Sequence, residues 1–293
     1  MHIGILSARS QRYHPNRRLM EAGSKLGHKV QLIHPGQCIA SILSERIGFS
    51  GRKPDVSILI PRIGASINEY ALAAVRHFQQ AGVRVVNRFE SILLARNKFC
   101  CMQTLASLGV SVPDSLFVSN LKNLETAIEK LGGFPVVVKT PSGRQGSGVM
   151  VLESRPVVEF LASNLTLSVT GLIVQRYIPA KGRRDIRAFV LGEDVIAAVE
   201  LLPPRGDFRA NVHVGGKATP IKIEPRLAEL ALNATRVLGL EISGTDILVD
   251  STGHASVIEV NYSPGFRGLE ASTGLDIALK IIEHAAGYKT GGN

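Results

Sequence analysis

The segment 256–261, Ser-Val-Ile-Glu-Val-Asn, constrains the fold most, because it places oxygen-bearing side chains in a strand that is otherwise apolar. Side chains alternate between the two faces of a strand, so Glu259 and Asn261 point the same way. An earlier apolar segment, 243–249, carries Asp246, and the residues between the two segments, Asp-Ser-Thr-Gly-His, have the composition of a hairpin turn. The sequence therefore predicts a hairpin with Asp246 beside Glu259.

These three side chains together have the chemistry of a metal site. Carboxylate and carboxamide oxygens are hard ligands, of the kind that Mg²⁺ takes when it also holds substrate phosphates. A single aspartate in such a place is more often a polar group at the edge of a sheet. Because three such side chains converge on one hairpin, we predict that Asp246, Glu259 and Asn261 bind magnesium.

A glycine-rich segment follows the apolar strand 136–139. Glycines let a loop bring its backbone N–H groups close to phosphate oxygens, and Lys139 at the end of the strand supplies a point charge. A P-loop would need Gly-Lys-Ser/Thr and then a helix, whereas here another strand, 149–152, follows. We therefore predict a hairpin flap that contacts phosphate, with simple turn formation as the alternative. The flap residues concerned are Gly143, Gly146, Ser147 and Gly148.

An apolar strand that ends at Pro179 is suited to a hinge between two lobes. The backbone of this hinge, which includes Arg176 and Tyr177, could hydrogen-bond the edge of an adenine. On the next strand Asp185 and Arg187 share a face, so Asp185 could accept from ribose hydroxyls and Arg187 could hold an anion. The alternative for this pair is an exposed ion pair of little energetic value.

Strands and helices alternate through the first 90 residues, which predicts a small parallel sheet. No GxGxxG follows the first strand, so dinucleotide binding is not indicated. Arg62 and Gly64 follow the third strand at its carboxyl end, where α/β sheets bind ligands, although a surface arginine is an equal alternative. The predicted strands are 2–8, 29–34, 55–61 and 84–87, and the predicted helices are 15–26 and 68–81.

The remainder of the chain divides into two further parts and a tail. A helix is predicted over 91–108 and carries Lys98. The segment 205–216 is polar, glycine-rich and longer than a simple connector needs to be, which indicates a functional loop. Further helices are predicted over 124–131, 225–238 and 276–286. The expected domains are 1–90, a central lobe over 91–172 with the flap, and a carboxyl-terminal lobe over 173–287 with the metal site, followed by a flexible tail, 288–293.

Composition and charge exclude several classes of protein. No apolar stretch is long enough to cross a membrane and the start does not resemble a signal peptide, so a cytoplasmic protein without a membrane partner is expected. The formal net charge of +10 favours anionic partners, but aromatic residues make up only 5%, so direct nucleic-acid binding by base stacking is not expected. Cys38, Cys100 and Cys101 form neither a CxxC pair nor an even disulfide set and are expected to be reduced.

The motifs together resemble the ATP-grasp superfamily, and closely its RimK branch, the α-L-glutamate ligases that modify a small-subunit ribosomal protein. The resemblance runs nearly from end to end. Its motifs are Ile60-Pro-Arg-Ile-Gly64, Val137-Val-Lys139 with the flap, Asp185-Ile-Arg187, Gly206-Asp-Phe-Arg-Ala-Asn211 with His213 and Gly215-Gly216, Asp246-Ile-Leu, Glu259-Val-Asn261-Tyr-Ser-Pro-Gly265 and Thr273-Gly-Leu-Asp276-Ile-Ala.

The resemblance implies an α/β (α+β) ATP-grasp fold, with an amino-terminal parallel-sheet pre-ATP-grasp domain and two α+β lobes that clasp ATP. It implies that Lys98 and Lys139 bind phosphates, that Tyr177 and Asp185 bind the adenosine, and that the metal is Mg²⁺ or Mn²⁺. The residues expected at the phosphates and the reacting carboxylate are Arg187, Arg209 and Asn211. One departure is Arg176, because members of the family usually read Gln-Glu-Tyr-Ile where this chain has Gln175-Arg-Tyr-Ile178. If backbone atoms recognise the adenine there, the change costs little affinity.

The activity that the resemblance implies is a carboxylate–amine ligation driven by ATP through an acyl phosphate. Positioning and charge neutralisation dominate catalysis of phosphoryl transfer, and the chain lacks GxSxG, HExxH and catalytic cysteine motifs. The expected partners are L-glutamate and an acidic peptide or the C-terminus of a ribosomal protein, and relatives imply a homo-oligomer, such as a tetramer. The alternatives are an ATP-grasp ligase for another amino acid or acceptor, and a basic ribosome- or RNA-associated binding protein.

Overall fold

The structure of the protein is a computed structural model that describes residues 1–50, 54–64, 68–142, 148–164, 171–203 and 217–288. The strands are β1 His2–Leu6, β2 Lys29–Ile33, β3 Ala40–Leu43, β4 Arg46–Phe49, β5 Ile58–Pro61, β6 Arg84–Val85, β7 Ser115–Val118, β8 Val136–Lys139, β9 Val149–Leu152, β10 Leu172–Arg176, β11 Arg184–Leu191, β12 Asp194–Leu202, β13 Lys217–Pro220, β14 Ile242–Val249 and β15 Ala255–Asn261. The helices are α1 His14–Lys25, α2 Glu69–Gln80, α3 Phe89–Ala95, α4 Lys98–Ser107, α5 Leu121–Lys130, α6 Arg155–Asn164, α7 Pro225–Val237, α8 Arg267–Thr273 and α9 Ile277–Ala285.

The amino-terminal strands form the predicted parallel sheet. Its order is β2-β1-β5-β6, and β1 lies between its two parallel partners with Ile3 opposite Ile58. Strand β5 is buried along its whole length, as expected for a strand covered on both faces. The carboxyl ends of β1 and β5 therefore meet at one edge, where Arg62 follows β5.

The hairpin of β3 and β4 has no counterpart among the predicted elements. The two strands pair antiparallel around Ser44 and Glu45, whose φ angles of 47° and 63° lie in the left-handed region. Two-residue hairpin turns of this kind usually carry Asn-Gly or Asp-Gly. Ser-Glu gives no such signal, so the local sequence did not reveal the turn.

The central sheet has the order β7-β10-β8-β9 and is antiparallel throughout. Strand β10, which begins where the carboxyl-terminal lobe was expected to start, lies in the middle of this sheet, so the chain passes to the next sheet only after Arg176. The lobe has a hydrophobic cluster of its own. Its buried members include Val118, Leu124, Ile128, Val136, Val138, Leu152 and Val174.

The third sheet, β13-β12-β11-β14-β15, is antiparallel, and β14 is buried at every position. One face of this sheet packs on the amino-terminal domain, so that a single hydrophobic cluster spans both. Its buried members include Ile3, Ile5, Leu19, Ile58 and Ile60 from the first domain and Phe189, Leu191, Ile242, Phe266, Ile277 and Ile281 from the carboxyl-terminal part.

The helix predicted over 91–108 is wrong as a single element. The structure has two helices, α3 and α4, and Asn97 between them has extended backbone, with φ −97° and ψ 111°. The Asn97 side chain accepts hydrogen bonds from the backbone N–H groups of Phe99 and Cys100, at 3.0 and 3.1 Å. This is an N-cap, and it makes Lys98 the first residue of α4. The predicted tail lies outside the described residues beyond Tyr288.

None of the helices in the described ranges combines the length and the apolar character that crossing a bilayer requires.

Candidate active site

The hairpin of β14 and β15 has the predicted register. Asp246 lies directly opposite Glu259, and Gly244 lies opposite Asn261. An irregularity follows Asp246, where Ile247 pairs with Val257. Side chains directly opposite on an antiparallel pair have Cβ atoms about 5 Å apart, so the two carboxylates are close enough to share one cation.

Arg187 holds the Asp246 carboxylate through two parallel hydrogen bonds. Strand β11 pairs with β14 so that Arg187 lies opposite Asp246, on the other side of β14 from Glu259. The Arg187 Nε and Nη2 atoms lie 2.7 and 2.6 Å from the two oxygens of Asp246. The charge of Asp246 outweighs the effect of burial and raises the pKa of Arg187, which stays protonated. The orientation of Asp246 is therefore set by a permanent cation.

Lys98 pairs with Glu259, the second carboxylate. The Lys98 Nζ atom lies 2.5 Å from Glu259 Oε1. The Lys98 backbone N–H donates to Pro141 O at 2.8 Å, which ties the start of α4 to the end of the strand before the flap. Burial acts to raise the pKa of Glu259, but the nearby cations Lys98, Lys139 and Arg187 outweigh it and the pKa is lowered. Glu259 is therefore ionised, as a metal ligand would have to be.

Lys139 ends β8 and faces the same cluster. Its Nζ donates to Gln175 Oε1 at 2.7 Å. Burial lowers the pKa of Lys139 from 10.5 to about 8, although Glu259 and Asp246 act in the opposite direction. Gln175 is buried and in turn donates to Ser115 Oγ at 3.0 Å, so its amide is held from both ends.

The described side chains of the site leave a net positive charge. Lys98, Lys139 and Arg187 provide three positive charges, and Asp246 and Glu259 provide two negative charges. Such an excess of positive charge favours an anionic ligand. Phosphates of a nucleotide are the ligand class that suits this balance.

The flap is described only at its two ends. Thr140 N donates to Gly148 O at 2.9 Å, and Gly148 has a φ of 81°. A Cβ atom at Gly148 would lie 2.5 Å from Thr140 Oγ1, so glycine is required there on both grounds. The predicted phosphate-binding residues Gly143, Gly146 and Ser147 lie outside the described residues.

The loop 205–216 also lies outside the described residues, and with it the predicted catalytic residues Arg209 and Asn211. Their part in the site stays a prediction.

The hinge places its ionic side chains in local pairs. Arg176, the residue that departs from the family pattern, has its Nη2 atom 2.7 Å from Asp114 Oδ2 on the surface. Its side chain therefore pairs away from the charged residues of the site. Asp185 pairs with Arg183 at 3.0 Å, and Arg183 also donates to Ile178 O at 3.1 Å. Burial raises the pKa of Asp185 against the effect of Arg183. Asp185 and Arg187 thus have different partners although they share a strand face.

A magnesium ion would find a suitable donor set here. Asp246, Glu259 and Asn261 offer oxygen donors on two adjacent strands, which is the chemistry that Mg²⁺ prefers. Within the described ranges there is no group of three or more His, Cys, Asp or Glu side chains that could hold a metal ion. The predicted set has only two carboxylates, so an ion there would take further ligands from phosphates and water.

A separate cleft of about 490 Å³ lies between α1 and the last two helices. The described residues that line it include none of the predicted site residues. Arg18 crosses it to pair with Glu270 at 3.2 Å and Asp276 at 2.8 Å. We interpret these ion pairs as a connection between the amino-terminal domain and the carboxyl-terminal lobe.

Two buried hydrogen-bonding positions were not predicted from the sequence. Gln175 was seen only as part of a motif, although a glutamine inside an apolar strand is a signal of a buried hydrogen-bonding role. Asn87 is 2% exposed, and all four of its amide hydrogen bonds go to backbone atoms of the carboxyl-terminal lobe. Its local sequence gave no indication of this.

Two family models cover most of the chain. Residues 1–92 match the RimK PreATP-grasp domain, and residues 95–285 match the RimK-like ATP-grasp domain. A protein from Pseudoalteromonas translucida, described as a probable alpha-L-glutamate ligase, is 39% identical over 286 residues, which is 97% of this chain and 94% of that protein. A protein of the same description from Vibrio cholerae is 38% identical over the same shares.

Solved structures share the fold at low sequence identity. The RimK domain ATP-grasp protein from Sphaerobacter thermophilus superposes with a TM-score of 0.74 at 22% identity, covering 98% of this chain and 100% of that chain. The ATP-grasp ligase PsnB, solved with a phosphomimetic variant of its minimal precursor, Mg and ADP, has a TM-score of 0.76 at 19% identity, covering 97% of each chain. These neighbours confirm the predicted ATP-grasp fold.

Proposed function

The chain belongs to the RimK-like ATP-grasp family and is an ATP-dependent, ADP-forming carboxylate–amine ligase, and we propose on that premise that it adds L-glutamate to the C-terminal carboxylate of a protein or peptide. Curated relatives covering 97% of the chain are described as probable alpha-L-glutamate ligases, which supports glutamate as the amino acid. A PsnB structure holds a precursor peptide, which supports a peptide acceptor. We expect either modification of a ribosomal protein or synthesis of poly-α-glutamate by repeated addition.

The reaction that we propose has two steps. The acceptor carboxylate attacks the γ-phosphoryl group of ATP, which gives an acyl phosphate and ADP. The amino group of glutamate then displaces phosphate and forms the amide. Neither step requires a protein nucleophile, so the contribution of the protein is to position the reactants and to neutralise developing charge.

The observation that carries this proposal is the group of cations beside two carboxylates on one hairpin. Lys98 and Lys139 would neutralise the nucleotide phosphates, and Arg187 would keep Asp246 oriented. Asp246, Glu259 and Asn261 would hold Mg²⁺, which when bound polarises the phosphoryl oxygens. Tyr177 and Asp185 at the hinge would bind the adenosine, and Arg209 and Asn211 would contact the phosphates and the reacting carboxylate.

The proposal is tested by measuring ADP release from Mg-ATP with each of the twenty amino acids, followed by mass spectrometry of the products. We expect turnover with L-glutamate and products spaced by one glutamyl unit. If only another amino acid supports turnover, that amino acid and not glutamate is the substrate. If none of the twenty amino acids causes ADP release, ribosomal proteins are added as acceptors. No ADP release under those conditions would contradict the proposed ligase reaction.

A variant of the hairpin tests the site itself. Glu259→Gln keeps the shape of the side chain but removes the charge that faces Lys98, so we expect turnover to fall at least about 100-fold with the fold retained by circular dichroism. Glu283→Gln, on the last helix, is the control and should keep full turnover. Light scattering of the same samples tests the expected homo-oligomer.

A further inference from the structure

Arg62 is a buried arginine that pairs with no carboxylate among the residues that the structure describes. It is 6% exposed and follows β5 at the carboxyl end of the parallel sheet. Its Nη2 donates to Pro264 O at 2.7 Å, and its guanidinium lies over the ring of Phe266 at 5.6 Å. Its Nε atom is buried and finds no hydrogen-bond partner within the described ranges. The contacts made by the described part of the chain therefore leave a donor unused.

Arg183, an arginine with a similarly buried side chain, differs from Arg62 because it has a carboxylate partner. The side chain of Arg183 is 5% exposed, and it pairs with Asp185 at 3.0 Å. Burial without such a partner lowers the pKa of Arg62 to about 10, with a small opposing effect of Tyr13. Buried charges are normally paired, because removing an ion from water without compensation is costly. The described residues therefore leave Arg62 without the anion that a buried guanidinium normally pairs with, and a ligand carboxylate could supply it.

The position of Arg62 places that anion next to the candidate active site. Pro264, whose carbonyl Arg62 contacts, is three residues beyond Asn261, so their Cα atoms are at most about 11 Å apart. The two loops are also packed on each other. Tyr262 donates to Gly64 O at 3.1 Å, and a Cβ atom at Gly64 would lie 3.3 Å from Ser263 Cβ. The loop after β15 thus connects the candidate metal ligands to Arg62.

We propose that Arg62 binds a carboxylate of a ligation substrate that does not itself react. The inference rests on the proposed function for the identity of that substrate. A guanidinium offers a planar fork of donors that matches a carboxylate, and Nε is one of those donors. The carboxylate belongs either to the incoming amino acid or to a glutamyl residue at the end of the acceptor. Both sources present the same group, and kinetics separates them.

Arg62→Met and Arg62→Lys are compared with the wild-type protein, with Arg84→Met as the matched control. Arg84 lies in the same sheet and also reaches the carboxyl-terminal lobe, but it pairs with Glu241 at 2.9 Å. We measure KM for ATP, for L-glutamate, and for a synthetic peptide that ends in glutamate. In Arg62→Met we expect KM to rise about 10- to 100-fold for one of the two carboxylate substrates, with KM for ATP unchanged. Arg62→Lys should recover part of that loss, because it keeps the charge.

The substrate whose KM rises identifies the source of the carboxylate. Equal changes in all three KM values, or none, would overturn the inference while leaving the proposed function intact. A second readout does not depend on turnover: either L-glutamate or the peptide that ends in glutamate should raise the melting temperature of the wild type and of Arg84→Met, but not of Arg62→Met. If the wild type shows no ligation, that thermal shift alone supports the Arg62 site, and its absence from the wild type overturns it.

Discussion

Lys139 is the residue of the site whose charge changes within the pH range in which the protein would be assayed. Burial lowers its pKa from 10.5 to about 8. In the unfolded chain the lysine has its ordinary pKa and binds its proton more tightly. Its unfavourable contribution to the free energy of folding is therefore largest below about pH 8 and is lost as the pH rises toward 10.5.

Nucleotide affinity should follow this titration. Phosphate binding requires the protonated amine, so we expect the Kd of Mg-ADP to rise above pH 8 and to be about tenfold weaker at pH 9. Calorimetric titrations between pH 6.5 and 9.5 measure it. Lys139→Arg keeps its charge over this range and should show no such loss. The same loss in the arginine variant would assign the effect to another group.

Arg187 gives a second prediction, because its two hydrogen bonds to Asp246 depend on the shape of the guanidinium. Lysine keeps the charge but cannot donate in parallel to both oxygens. We expect Arg187→Lys to lower turnover by about 10- to 100-fold and to raise the Mg²⁺ concentration needed for half-maximal activity. Arg184→Lys on the same strand, which pairs with Glu200 and Glu224 away from the cluster, is the control. Equal activities of the two variants would remove Arg187 from the site.

Among the secondary-structure elements, the break between α3 and α4 determines the position of Lys98. A continuous helix would have placed Lys98 inside a helical turn. The Asn97 cap instead starts α4 at Lys98, whose side chain then reaches Glu259 and whose backbone reaches Pro141. The cap thus links a local backbone preference to the geometry of the site.

Removing the cap should therefore have two effects. We expect Asn97→Ala to cost about 1 kcal/mol of unfolding free energy in urea titrations and also to weaken Mg-ADP binding. Asn120→Ala removes an equivalent cap from α5, where the Asn120 side chain accepts from Asn123 N at 2.9 Å. The control should lose similar stability with unchanged ADP affinity. If Asn97→Ala also binds ADP normally, the cap has only a structural role.

For the whole molecule, the parallel sheet and the third sheet share one hydrophobic cluster, whereas the central sheet has its own. Asn87 marks the junction of the first two. Its Nδ2 donates to Ile242 O and Tyr262 O, each at 2.7 Å, and its Oδ1 accepts from Glu241 N at 2.7 Å and Ile242 N at 2.8 Å. The amino-terminal domain is therefore a structural part of the site, because it supports the loop after β15.

We expect Asn87→Ala to destabilise the protein by roughly 3–5 kcal/mol, because it removes the Asn87 amide from four backbone groups, in two buried and two partly buried hydrogen bonds. Denaturant unfolding followed by circular dichroism provides the measurement. Asn233→Ala, which removes an exposed contact to Arg236, should change stability by less than about 0.5 kcal/mol. A small effect at Asn87 would mean that water replaces the lost amide.

Much of this fold could be predicted because its signals are local. Alternation of strands and helices identified the parallel sheet, and the polar positions of two apolar strands identified the hairpin with Asp246 opposite Glu259. The hairpin of β3 and β4 was missed because Ser-Glu is not a turn signal, and the break at Asn97 was missed because apolar residues continue on both sides.

The sequence by itself determined most of the element types and the residue types of the candidate site, since side-chain periodicity, glycine positions and the chemistry of single side chains are properties of short segments. Only the tertiary structure decided which charges meet. Arg187 pairs with Asp246 rather than Asp185, Lys98 reaches Glu259, and Arg62 is buried with no carboxylate beside it in the described part of the chain. The physical reason is that partners from separate segments come together only when the sheets pack, and an ion pair depends on that distance and burial rather than on separation along the chain.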